Sequence, residues 1–437
     1  MRLTVIGTGY LGATHAACMA ELGHEVVGVD VDADKVAALE AGRVPFHEPR
    51  LAGLVARHTA GGRLRFTSSY EEAGAFGQVH FVCVGTPQRR DGDGADLTCV
   101  ESAFDAIARH ARKGALLVGK STVPVGTAAG LAARHGRVEV AWNPEFLREG
   151  FAVVDTLRAD RLVFGVRTAR AERLLRTVYA SPLGAGTPLV VTDFATAELV
   201  KTAANSFLAT KISFINAMAE VCEAAGGDVR KLSEALGCDD RIGRAFLRAG
   251  VGFGGGCLPK DLRAFAHRAA ELGVDLGLLR QVDAINMRRR DRVIALAREL
   301  CGGTVLGARV AVLGAAFKPD SDDIRDSPAL NVAARLDLDG ADVTVYDPAA
   351  MDNARKAFPL LGYALSVDEA LRGAELVLHL TEWPQFREVD PRRAAALVYR
   401  PRIVDGRGVL DAARWTAAGW RFRALGAPVP AGEGEER

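Results

Sequence analysis

One ten-residue segment of the chain surrounds a cysteine with residue types that can make a thiol reactive. Residues 252 to 261 are Gly-Phe-Gly-Gly-Gly-Cys-Leu-Pro-Lys-Asp. The glycines let the backbone approach a ligand closely, and Lys260 and Asp261 place charges beside Cys257, as a nucleophilic thiolate requires. A glycine-rich turn around a buried structural cysteine is equally compatible with these residues. The segment alone therefore leaves both interpretations open.

A glycine pattern near the N-terminus predicts a dinucleotide site. An apolar run enters Gly7-Thr-Gly9-Tyr-Leu-Gly12, an Ala-rich helical stretch follows, and a second apolar run ends in Asp30. In this order of strand, turn, helix and strand, Gly7 permits the turn, Gly9 lets the backbone approach a pyrophosphate, and Gly12 lets the helix pack on the strand. The N-terminus of that helix attracts the diphosphate. A tight turn that binds nothing is the alternative.

The acid after the second strand bears on the choice of cofactor. Asp30 would hold the hydroxyls of the adenosine ribose and repel a 2′-phosphate. No arginine follows it directly, so the sequence favours NAD over NADP. Lys35 lies five residues later and could reach the same ribose, although a lysine on a helix surface is more often only solvated.

Polar residues follow three further apolar runs that we interpret as strands. In an open parallel sheet, ligands bind beyond the carboxyl ends of the strands. Thr86 follows the run 79 to 84, and Thr122 follows the run 116 to 120. Glu145 and Glu149 come after the third run and suggest a polar site there. Ordinary turn chemistry for Thr86 and a solvated acidic loop for the two glutamates are the alternatives.

Between residues 193 and 225, apolar residues recur at intervals of three and four and predict one long helix. Lys201 and Asn205 share a face of this helix because they are four residues apart. They either face solvent or point into a cleft and donate hydrogen bonds to one oxygen. A helix of this length suits a connector between two domains. Its apolar face could also bury against a second subunit, so we expect a homodimer.

Beyond residue 308 the alternation of strands and helices returns. The first turn of this part lacks GxGxxG, so it should bind a different phosphorylated ligand, with Lys318, Arg325 and Arg407 as candidates. We therefore predict an α/β fold with two doubly wound Rossmann-like domains joined by a long central helix. The expected segments are a NAD-binding domain (1–192), a central helical domain with the cysteine loop (193–300), a ligand-binding Rossmann-like domain (301–424) and a disordered tail (425–437).

Composition argues against several other classes of protein. The chain has 55 basic and 54 acidic residues, so no overall field attracts nucleic acid or an anionic membrane. Its seven cysteines are scattered without Cys-x-x-Cys or zinc spacing, which argues against a disulfide framework and against a metal site. No apolar run reaches the roughly 18 residues of a membrane span, and the first strand leaves no room for a signal peptide. We expect a cytoplasmic protein.

A NAD site combined with a nucleophilic cysteine is chemically specific. Hydride transfer converts an alcohol to an aldehyde without a thiol, whereas an aldehyde becomes an acid only after something adds to its carbonyl. A cysteine adds as a thiohemiacetal, and loss of hydride from that adduct gives a thioester that water cleaves. The combination therefore indicates an oxidation that ends at a carboxylate.

The motifs of the chain resemble those of nucleotide-sugar dehydrogenases of the UDP-glucose 6-dehydrogenase family, and they are also similar to those of GDP-mannose 6-dehydrogenases. The matching pieces run in the family order across nearly the whole chain. They are Gly7-x-Gly9-x-x-Gly12, Lys120-Ser-Thr-Val-Pro-Val-Gly126, Asn143-Pro-Glu-Phe-Leu-Arg-Glu-Gly150, Lys201-x-x-x-Asn205, Arg241-Ile-Gly243, residues 252 to 261, Phe317-Lys-Pro-Asp320 with Arg325, and Asp405-Gly-Arg407.

The resemblance implies catalytic roles for several of these residues. Cys257 would be the nucleophile. Lys201 and Asn205 would stabilise developing oxyanion charge. Glu145 would be the general base for thioester hydrolysis.

The remaining catalytic assignments concern proton transfer and the same polar network. Asp261 would orient water or Lys201, and an ordered water between Asp261 and Thr122 would act in proton transfer. Glu149 would lie near the same polar network.

The residues and the resemblance together give two sets of binding residues. The cofactor set is Gly7, Gly9, Tyr10, Leu11, Gly12, Asp30, Lys35, Thr86, Thr122, Glu149, Lys260 and Arg325. The substrate set is Glu145, Phe146, Leu147, Lys201, Asn205, Arg241, Arg248, Phe253, Gly254, Gly255, Lys318 and Arg407. Within the second set, Arg241 resembles a residue that reaches the sugar nucleotide of the neighbouring subunit.

The chain departs from the family pattern at two positions. Gly256 stands where the family usually has serine, which could loosen the loop beside Cys257. Arg248 stands where a lysine or tyrosine is often found, which bears on recognition of the diphosphate or the base.

The resemblance implies two successive NAD-dependent oxidations at C6 of UDP-glucose, which give UDP-glucuronate. The same chemistry on dTDP-glucose or GDP-mannose is the alternative. A non-catalytic sensor of NAD or of a sugar nucleotide is the hypothesis from another class. Such a sensor would not need cysteine, lysine, asparagine, aspartate and glutamate together, and all five are present.

Overall fold

The structure of the protein is a computed structural model, and it describes residues 1–428. Two compact units share these residues. The first comprises residues 1–204 and 264–275, and the second comprises residues 205–263 and 276 onward. No helix among residues 1–428 combines the length and the apolar character that crossing a bilayer requires.

An eight-stranded sheet forms the centre of the first unit. Its strands are β1 (Arg2–Ile6), β2 (Glu25–Val29), β3 (Leu64–Thr67), β4 (Val79–Val82), β5 (Leu116–Gly119), β6 (Glu139–Trp142), β7 (Leu162–Gly165) and β8 (Leu189–Thr192). They lie in the order β3-β2-β1-β4-β5-β6-β7-β8 and are parallel except for the antiparallel pair β6 and β7. The strand order reverses between β1 and β4, so their carboxyl ends flank the crevice in which such sheets bind ligands.

Apolar side chains alternate between two cores on the two faces of this sheet. Along β1, Leu3 and Val5 join one core and Ile6 joins the other. Two covered faces explain why strands such as β5 are buried along their whole length. The helices of this part of the chain are α1 (Tyr10–Glu21), α2 (Ala33–Glu40), α3 (Leu51–Ala60), α4 (Tyr70–Phe76), α5 (Thr98–His110), α6 (Thr127–Arg134), α7 (Ala152–Leu157), α8 (Ala169–Val178) and α9 (Ala180–Gly184).

Four helices follow β8 along the chain, before the strands of the second sheet begin. They are α10 (Phe194–Ala225), α11 (Val229–Gly237), α12 (Leu258–Glu271) and α13 (Gly277–Leu300). The long helix predicted from residue 193 to 225 is therefore present as the 32-residue α10. The helical pattern that resumes in the sequence from Asp261 to about Leu300 is divided between α12 and α13. Gly273 adopts φ +77° just after α12, a left-handed conformation that commonly ends a helix.

The second unit contains a six-stranded, entirely parallel sheet. Its strands are β9 (Arg309–Leu313), β10 (Asp342–Tyr346), β11 (Gly362–Tyr363), β12 (Leu376–His379), β13 (Arg402–Asp405) and β14 (Arg421–Ala424), in the order β11-β10-β9-β12-β13-β14. The helices around it are α14 (Pro328–Leu338), α15 (Met351–Ala357), α16 (Val367–Leu371), α17 (Pro384–Arg387), α18 (Pro391–Leu397) and α19 (Ala412–Ala417). The prediction of two doubly wound sheets is confirmed.

The end of the described chain is ordered. Leu425 is buried, and the N–H of Gly426 donates to Glu223 at 2.7 Å while its carbonyl accepts from the N–H of Val229 at 2.9 Å. This corrects the start of the expected disordered tail, whose residues from 429 lie outside the described part of the chain. The expected domain boundaries at 192 and 300 stay predictions, since the two compact units divide inside α10.

Candidate active site

The turn after β1 has the conformation that a dinucleotide cradle needs. Gly7 adopts φ +84°, which favours glycine. A Cβ at Gly12 would lie 1.7 Å from the carbonyl oxygen of Gly7, so α1 packs on the turn only because this residue has no side chain. Beside Gly9, by contrast, nothing lies within 4 Å of where a Cβ would be, and this space is where a pyrophosphate would approach the backbone.

Asp30 closes the same turn from the end of β2. Its Oδ2 accepts hydrogen bonds from the N–H of Thr8 at 2.8 Å and from its hydroxyl at 3.1 Å, and the Lys35 ammonium lies 3.2 Å away. Burial opposes ionisation of this carboxyl. The backbone N–H groups of Asp32 and Thr8 and the charge of Lys35 outweigh burial and hold the pKa of Asp30 below its usual value. Asp30 is therefore an anionic acceptor, as binding of ribose hydroxyls requires, and these residues fit NAD.

Two threonines at neighbouring strand ends come together in the first unit. The Thr86 hydroxyl, beyond β4, donates to the backbone carbonyl of Thr122, beyond β5, at 2.8 Å. Thr86 is buried and Thr122 is half-buried. The loop of Thr122 ends at the start of α6, where Glu198 of α10 accepts the N–H groups of Gly126 and Ala128 at 2.7 and 2.6 Å.

Glu145 and the buried Lys201 form an ion pair. Their charged atoms are 2.9 Å apart, and the exposed fractions of the two side chains are 14% and 7%. The other carboxylate oxygen of Glu145 accepts the N–H of Leu147 at 2.7 Å. The Lys201 ammonium also lies over the ring of Phe146, 5.8 Å from its centre. The structure thus brings together four of the sequence-predicted site residues.

The start of the segment that carries Glu145 is held by a buried lysine. The Lys120 ammonium donates to the carbonyl and the side-chain oxygen of Asn143 at 3.2 and 3.0 Å. The hydroxyl of Tyr179 donates to the same Asn143 side-chain oxygen at 2.7 Å. Burial lowers the pKa of Lys120 to about 8, because an ammonium group loses its hydration inside the sheet.

Cys257 lies at the N-terminus of α12 in the second unit. Its side chain is exposed, and its carbonyl accepts the first hydrogen bond of the helix, from the N–H of Asp261 at 2.9 Å. The helix begins at Leu258, three residues before the helical pattern in the sequence resumes. A helix N-terminus carries partial positive charge, so this position favours a thiolate over a neutral thiol.

The carboxylate of Asp261 accepts hydrogen bonds from two polar residues next to Cys257. Asp261 is 2% exposed, and its two oxygens accept from the side-chain amide of Asn205 at 2.7 Å and from the Lys260 ammonium at 2.6 Å. Asn205, Lys260 and Asp261 therefore form one hydrogen-bonded group. It is the first turn of α12 that brings Asp261 beneath the cysteine.

The glycine-rich loop before Cys257 is fixed from several sides within the second unit. The side-chain amide of Asn286 both accepts from the N–H of Phe253 at 2.8 Å and donates to its carbonyl at 3.0 Å. A Cβ at Gly254 would lie 2.3 Å from the carbonyl oxygen of Asp326. Gly255 adopts φ +83° and donates its N–H to the carbonyl of Arg325 at 2.8 Å. The loop is therefore held in one conformation by its backbone.

Arg407 ties this loop to the strand ends of the second sheet. Its guanidinium donates to the carbonyls of Leu380, Phe317 and Gly252 at 2.7, 3.0 and 3.3 Å. It also lies 3.2 Å from the carboxylate of Glu382. The residue that the sequence assigned to the substrate thus also organises the loop.

The guanidinium of Arg325 occupies the space beside Gly256. A Cβ at Gly256 would lie 2.1 Å from the central carbon of that guanidinium, and Asp323 holds the same guanidinium in a salt bridge at 2.6 Å. The departure from serine at position 256 thus leaves room for an arginine side chain next to the cysteine. Lys318 is half-buried, with its ammonium 5.6 Å from the ring centre of Phe317.

Two other predicted arginines lie on the surface of the second unit. Arg248 is exposed. The side chain of Arg241 is 89% exposed and forms a salt bridge with Asp239 at 2.6 Å. Within the described residues, neither is brought to the group around Asp261, so their assignments stay predictions.

Three buried residues that support the site had no assigned role from the sequence. Lys120 lies within a matching motif, and a lysine at the end of an apolar strand was a usable signal. Glu198 lies inside the apolar stripe of α10, where an acid is unexpected and could have been noticed. Glu48 lies in a loop between His47 and Pro49 without any pattern around it, so the sequence carried no signal for it.

Three family models match consecutive parts of the chain. The NAD binding domain of the UDP-glucose/GDP-mannose dehydrogenase family matches residues 1–182, its central domain matches residues 195–288, and its UDP binding domain matches residues 311–412.

Curated relatives match over nearly their full lengths. The UDP-glucose 6-dehydrogenase of Rhizobium meliloti (strain 1021) is 41% identical, over 98% of this chain and 100% of the relative. The UDP-glucose 6-dehydrogenase YwqF of Bacillus subtilis (strain 168) is 38% identical, over 99% of each.

Solved structures are similar over the same extent. A UDP-glucose dehydrogenase from the hyperthermophilic archaeon Pyrobaculum islandicum has a TM-score of 0.91 at 39% identity and covers 98% of both chains. A UDP-D-ManNAc dehydrogenase from Pyrococcus horikoshii has a TM-score of 0.86 at 28% identity, over 98% of this chain and 99% of the other.

Proposed function

Because the chain belongs to the UDP-glucose/GDP-mannose dehydrogenase family, we propose that it oxidises the C6 alcohol of UDP-glucose to the carboxylate of UDP-glucuronate, using NAD. The observation that carries the cysteine chemistry is the exposed Cys257 at the N-terminus of α12, beside the hydrogen-bonded group of Asn205, Lys260 and Asp261. An alcohol dehydrogenase that stopped at the aldehyde would not need this thiol.

NAD supplies the hydride acceptor for both oxidations when it is bound at the turn after β1. The protein supplies the rest of the chemistry. In the first oxidation, the hydride leaves C6 while the proton of the alcohol passes to the proposed water near Thr122 and Asp261. The negative charge that develops on oxygen needs donors. We assign this role to the Lys201 ammonium and the Asn205 amide, which lie one turn apart on α10.

In the second stage, the sulfur of Cys257 adds to the aldehyde carbon. The thiohemiacetal that forms keeps its oxygen within the charge of Lys201 and Asn205 in this proposal. Loss of a hydride, and transfer of the hydroxyl proton to the same water, then leave a thioester on Cys257. Asp261 holds the Asn205 amide in place, because one oxygen of this buried carboxylate accepts its N–H.

Hydrolysis of the thioester needs a base that removes a proton from water. We assign this base to Glu145, which is partly buried and ion-paired with Lys201 at 2.9 Å. Proton transfer through a water near Thr122 and Asp261 stays part of the proposal, as does the place of Glu149 near the same network. The cofactor and substrate contacts predicted from the sequence are also part of this proposal.

The nucleobase follows from the relatives rather than from the site. Curated relatives that match the chain over nearly its full length are UDP-glucose 6-dehydrogenases, and the UDP binding domain matches residues 311–412. The arginine at position 248 is the feature that keeps dTDP-glucose and GDP-mannose as alternatives.

Two further proposals concern assembly and location. We infer a homodimer through α10, supported by the exposed apolar side chains Phe207, Phe214 and Val221, which recur every seven residues. The 89% exposed side chain of Arg241 would reach the site of the second subunit. We also propose a cytoplasmic location, and the supporting observation is that none of the seven cysteines forms a disulfide within the described residues.

The stoichiometry of NADH tests the reaction directly. We expect about two NADH per sugar nucleotide consumed, as two hydride steps require, with UDP-glucose preferred over dTDP-glucose and GDP-mannose. Cys257→Ser should abolish formation of the acid, and Cys238→Ser, at another exposed cysteine, should leave it unchanged. One NADH per sugar, or acid formation by the Cys257→Ser variant, would overturn the proposed role of the thiol.

A further inference from the structure

One buried carboxylate connects the dinucleotide turn to the segment that carries the proposed base. We call residues 143–150 the base loop, since they include Glu145 and Glu149. Glu48 is 7% exposed, and it accepts the N–H of Gly150 at 2.7 Å through one oxygen and the N–H of Ala152 at 2.8 Å through the other. The hydroxyl of Tyr10 donates to the first of these oxygens. Glu48 therefore holds the C-terminal end of the base loop.

The base loop is thus anchored at both of its ends by buried polar groups. At its start, Asn143 accepts from Lys120 and Tyr179, and its amide donates to the carbonyl of Val163 at 3.0 Å. At its end, Gly150 is bonded to Glu48. Only a few residues lie between these anchors. A displacement at either anchor is therefore transmitted to Glu145.

The chemistry of the Glu48 contact requires a carboxylate. Two backbone N–H groups and one hydroxyl converge on its two oxygens, and hydrogen bonds to a charged acceptor are roughly twice as strong as neutral ones. An amide offers one accepting oxygen, and its NH₂ would point at an N–H. The pKa of Tyr10 is raised, first by burial and then by its hydrogen bond to Glu48 and the charge there, so the tyrosine stays a donor.

Tyr10 gives this contact its link to the cofactor. It is the first residue of α1 and directly follows Gly9, the glycine beside which the pyrophosphate would lie. Its ring also packs against Phe46, with the ring centres 5.3 Å apart, two residues before Glu48. The same carboxylate thus contacts the dinucleotide turn and the end of the base loop.

We propose that Glu48 is a positioning residue for thioester hydrolysis, because it fixes the base loop, and with it Glu145, relative to the dinucleotide turn. This inference rests on the proposed function. In the step concerned, the oxygen of water bonds to the thioester carbon while one of its protons passes to the Glu145 carboxylate. The carbon–sulfur bond breaks, Cys257 leaves as a thiolate, and the acid product loses its second proton to solvent.

A misplaced base slows the last step more than the earlier ones, so an intermediate should accumulate. With UDP-glucose and NAD in excess, the Glu48→Gln enzyme should show a steady-state fraction of protein carrying the UDP-glucuronyl adduct on Cys257, seen by intact-protein mass spectrometry. We expect kcat to fall by about 10- to 100-fold, the range for a small misplacement of a catalytic group. The KM for UDP-glucose should fall together with kcat, because slowing a step after an accumulating covalent intermediate leaves kcat/KM nearly unchanged.

Two variants give the scale of this measurement. Glu145→Gln removes the proposed base itself and should give the largest adduct fraction. Glu40→Gln removes a carboxylate that accepts a backbone N–H elsewhere in the first unit, that of Phe66 at 2.5 Å, and should show no adduct above the wild type. Glu48→Asp keeps the charge but shortens the side chain by one methylene, so it carries the same expectation if Glu48→Gln does not fold.

The outcomes separate this inference from the proposed function. A folded Glu48 variant with no adduct above the wild type and an unchanged kcat would overturn it. The inference would also be overturned if the Glu48 variants lost only as much kcat as Glu40→Gln does, since equal losses indicate a general loss of stability. If the wild type itself forms one NADH per sugar, then the proposed function fails, whatever the variants do.

Discussion

Lys120 keeps an ammonium group inside the first sheet, where its partners Asn143 and Tyr179 are uncharged. Burial lowers its pKa from 10.5 to about 8. Between these two pH values the unfolded chain still binds the proton and the folded chain has released it. The free energy of unfolding therefore rises with pH across this window, by up to about 3 kcal/mol from this residue.

The Lys120→Met variant should lack this dependence. We expect the difference in melting temperature, wild type minus variant, to increase steadily from pH 7.5 to pH 10 in thermal unfolding followed by circular dichroism. Lys113→Met, at an exposed lysine, is the control and should give a difference that does not change with pH. A pH-independent difference for Lys120→Met would mean that folding leaves the pKa of Lys120 at its ordinary value.

Single residues also mark how far the sequence could predict the site. Gly7, Gly9, Gly12 and Asp30 were predicted because each has a distinct physical task within a fixed spacing. Glu48 has no such signal, because its task arises only when distant parts of the chain fold onto it. A carboxylate that serves three donors from two other segments is visible only in three dimensions.

At the scale of elements, the positions of the glycine-rich loop before Cys257 differ in how well they tolerate a side chain. Neither Gly254 nor Gly256 has a positive φ, so the space around them decides the effect of a side chain. A Cβ at Gly254 would meet the backbone oxygen of Asp326 at 2.3 Å and the Pro328 ring at 2.8 Å. The three atoms nearest to a Cβ at Gly256 would all belong to the guanidinium of Arg325, the end of a flexible side chain.

We therefore expect that two glycine-to-alanine substitutions change the free energy of unfolding by different amounts. Gly254→Ala should destabilise the protein by about 1 to 3 kcal/mol through overpacking. Gly256→Ala should stay within about 1 kcal/mol of the wild type, because Arg325 can move and the unfolded chain loses entropy. Chemical denaturation of the two variants side by side measures the difference. Equal destabilisation would show that the arginine is as immobile as the backbone.

Element ends were predicted less well than element interiors, and α12 illustrates the reason. The segment after Cys257 contains a proline at position 259, and the helical periodicity becomes visible only from Asp261. The helix nevertheless begins at Leu258, where proline is tolerated because the first N–H groups of a helix have no partner within it. The strands β2 and β9, by contrast, begin within one residue of their apolar runs and end with them.

At the scale of the molecule, the exposed face of α10 predicts self-association. Phe207, Phe214 and Val221 are 67%, 49% and 56% exposed, and a spacing of seven residues puts them on one side of the helix. An apolar row of this kind on a surface marks an interaction site. The proposed homodimer would bury it.

Phe214→Glu should weaken this dimer, since a charge would be buried against the apolar row. We expect the mass from light scattering at micromolar concentration to shift from about twice to about once that of the chain. Leu360→Glu introduces the same charge at a site that is 88% exposed and should leave the mass unchanged. A monomeric wild type would contradict the homodimer at once.

The three consecutive glycines beside the nucleophile also set different limits on sequence change over time. Gly254 is blocked by backbone, and Gly255 by a positive φ and the Phe317 ring, whereas Gly256 faces a side chain that can move. Selection should therefore remove substitutions almost completely at Gly254 and Gly255, and only weakly at Gly256. Related proteins can then exchange glycine and serine at position 256, provided that the side chain of Arg325 can adopt another conformation.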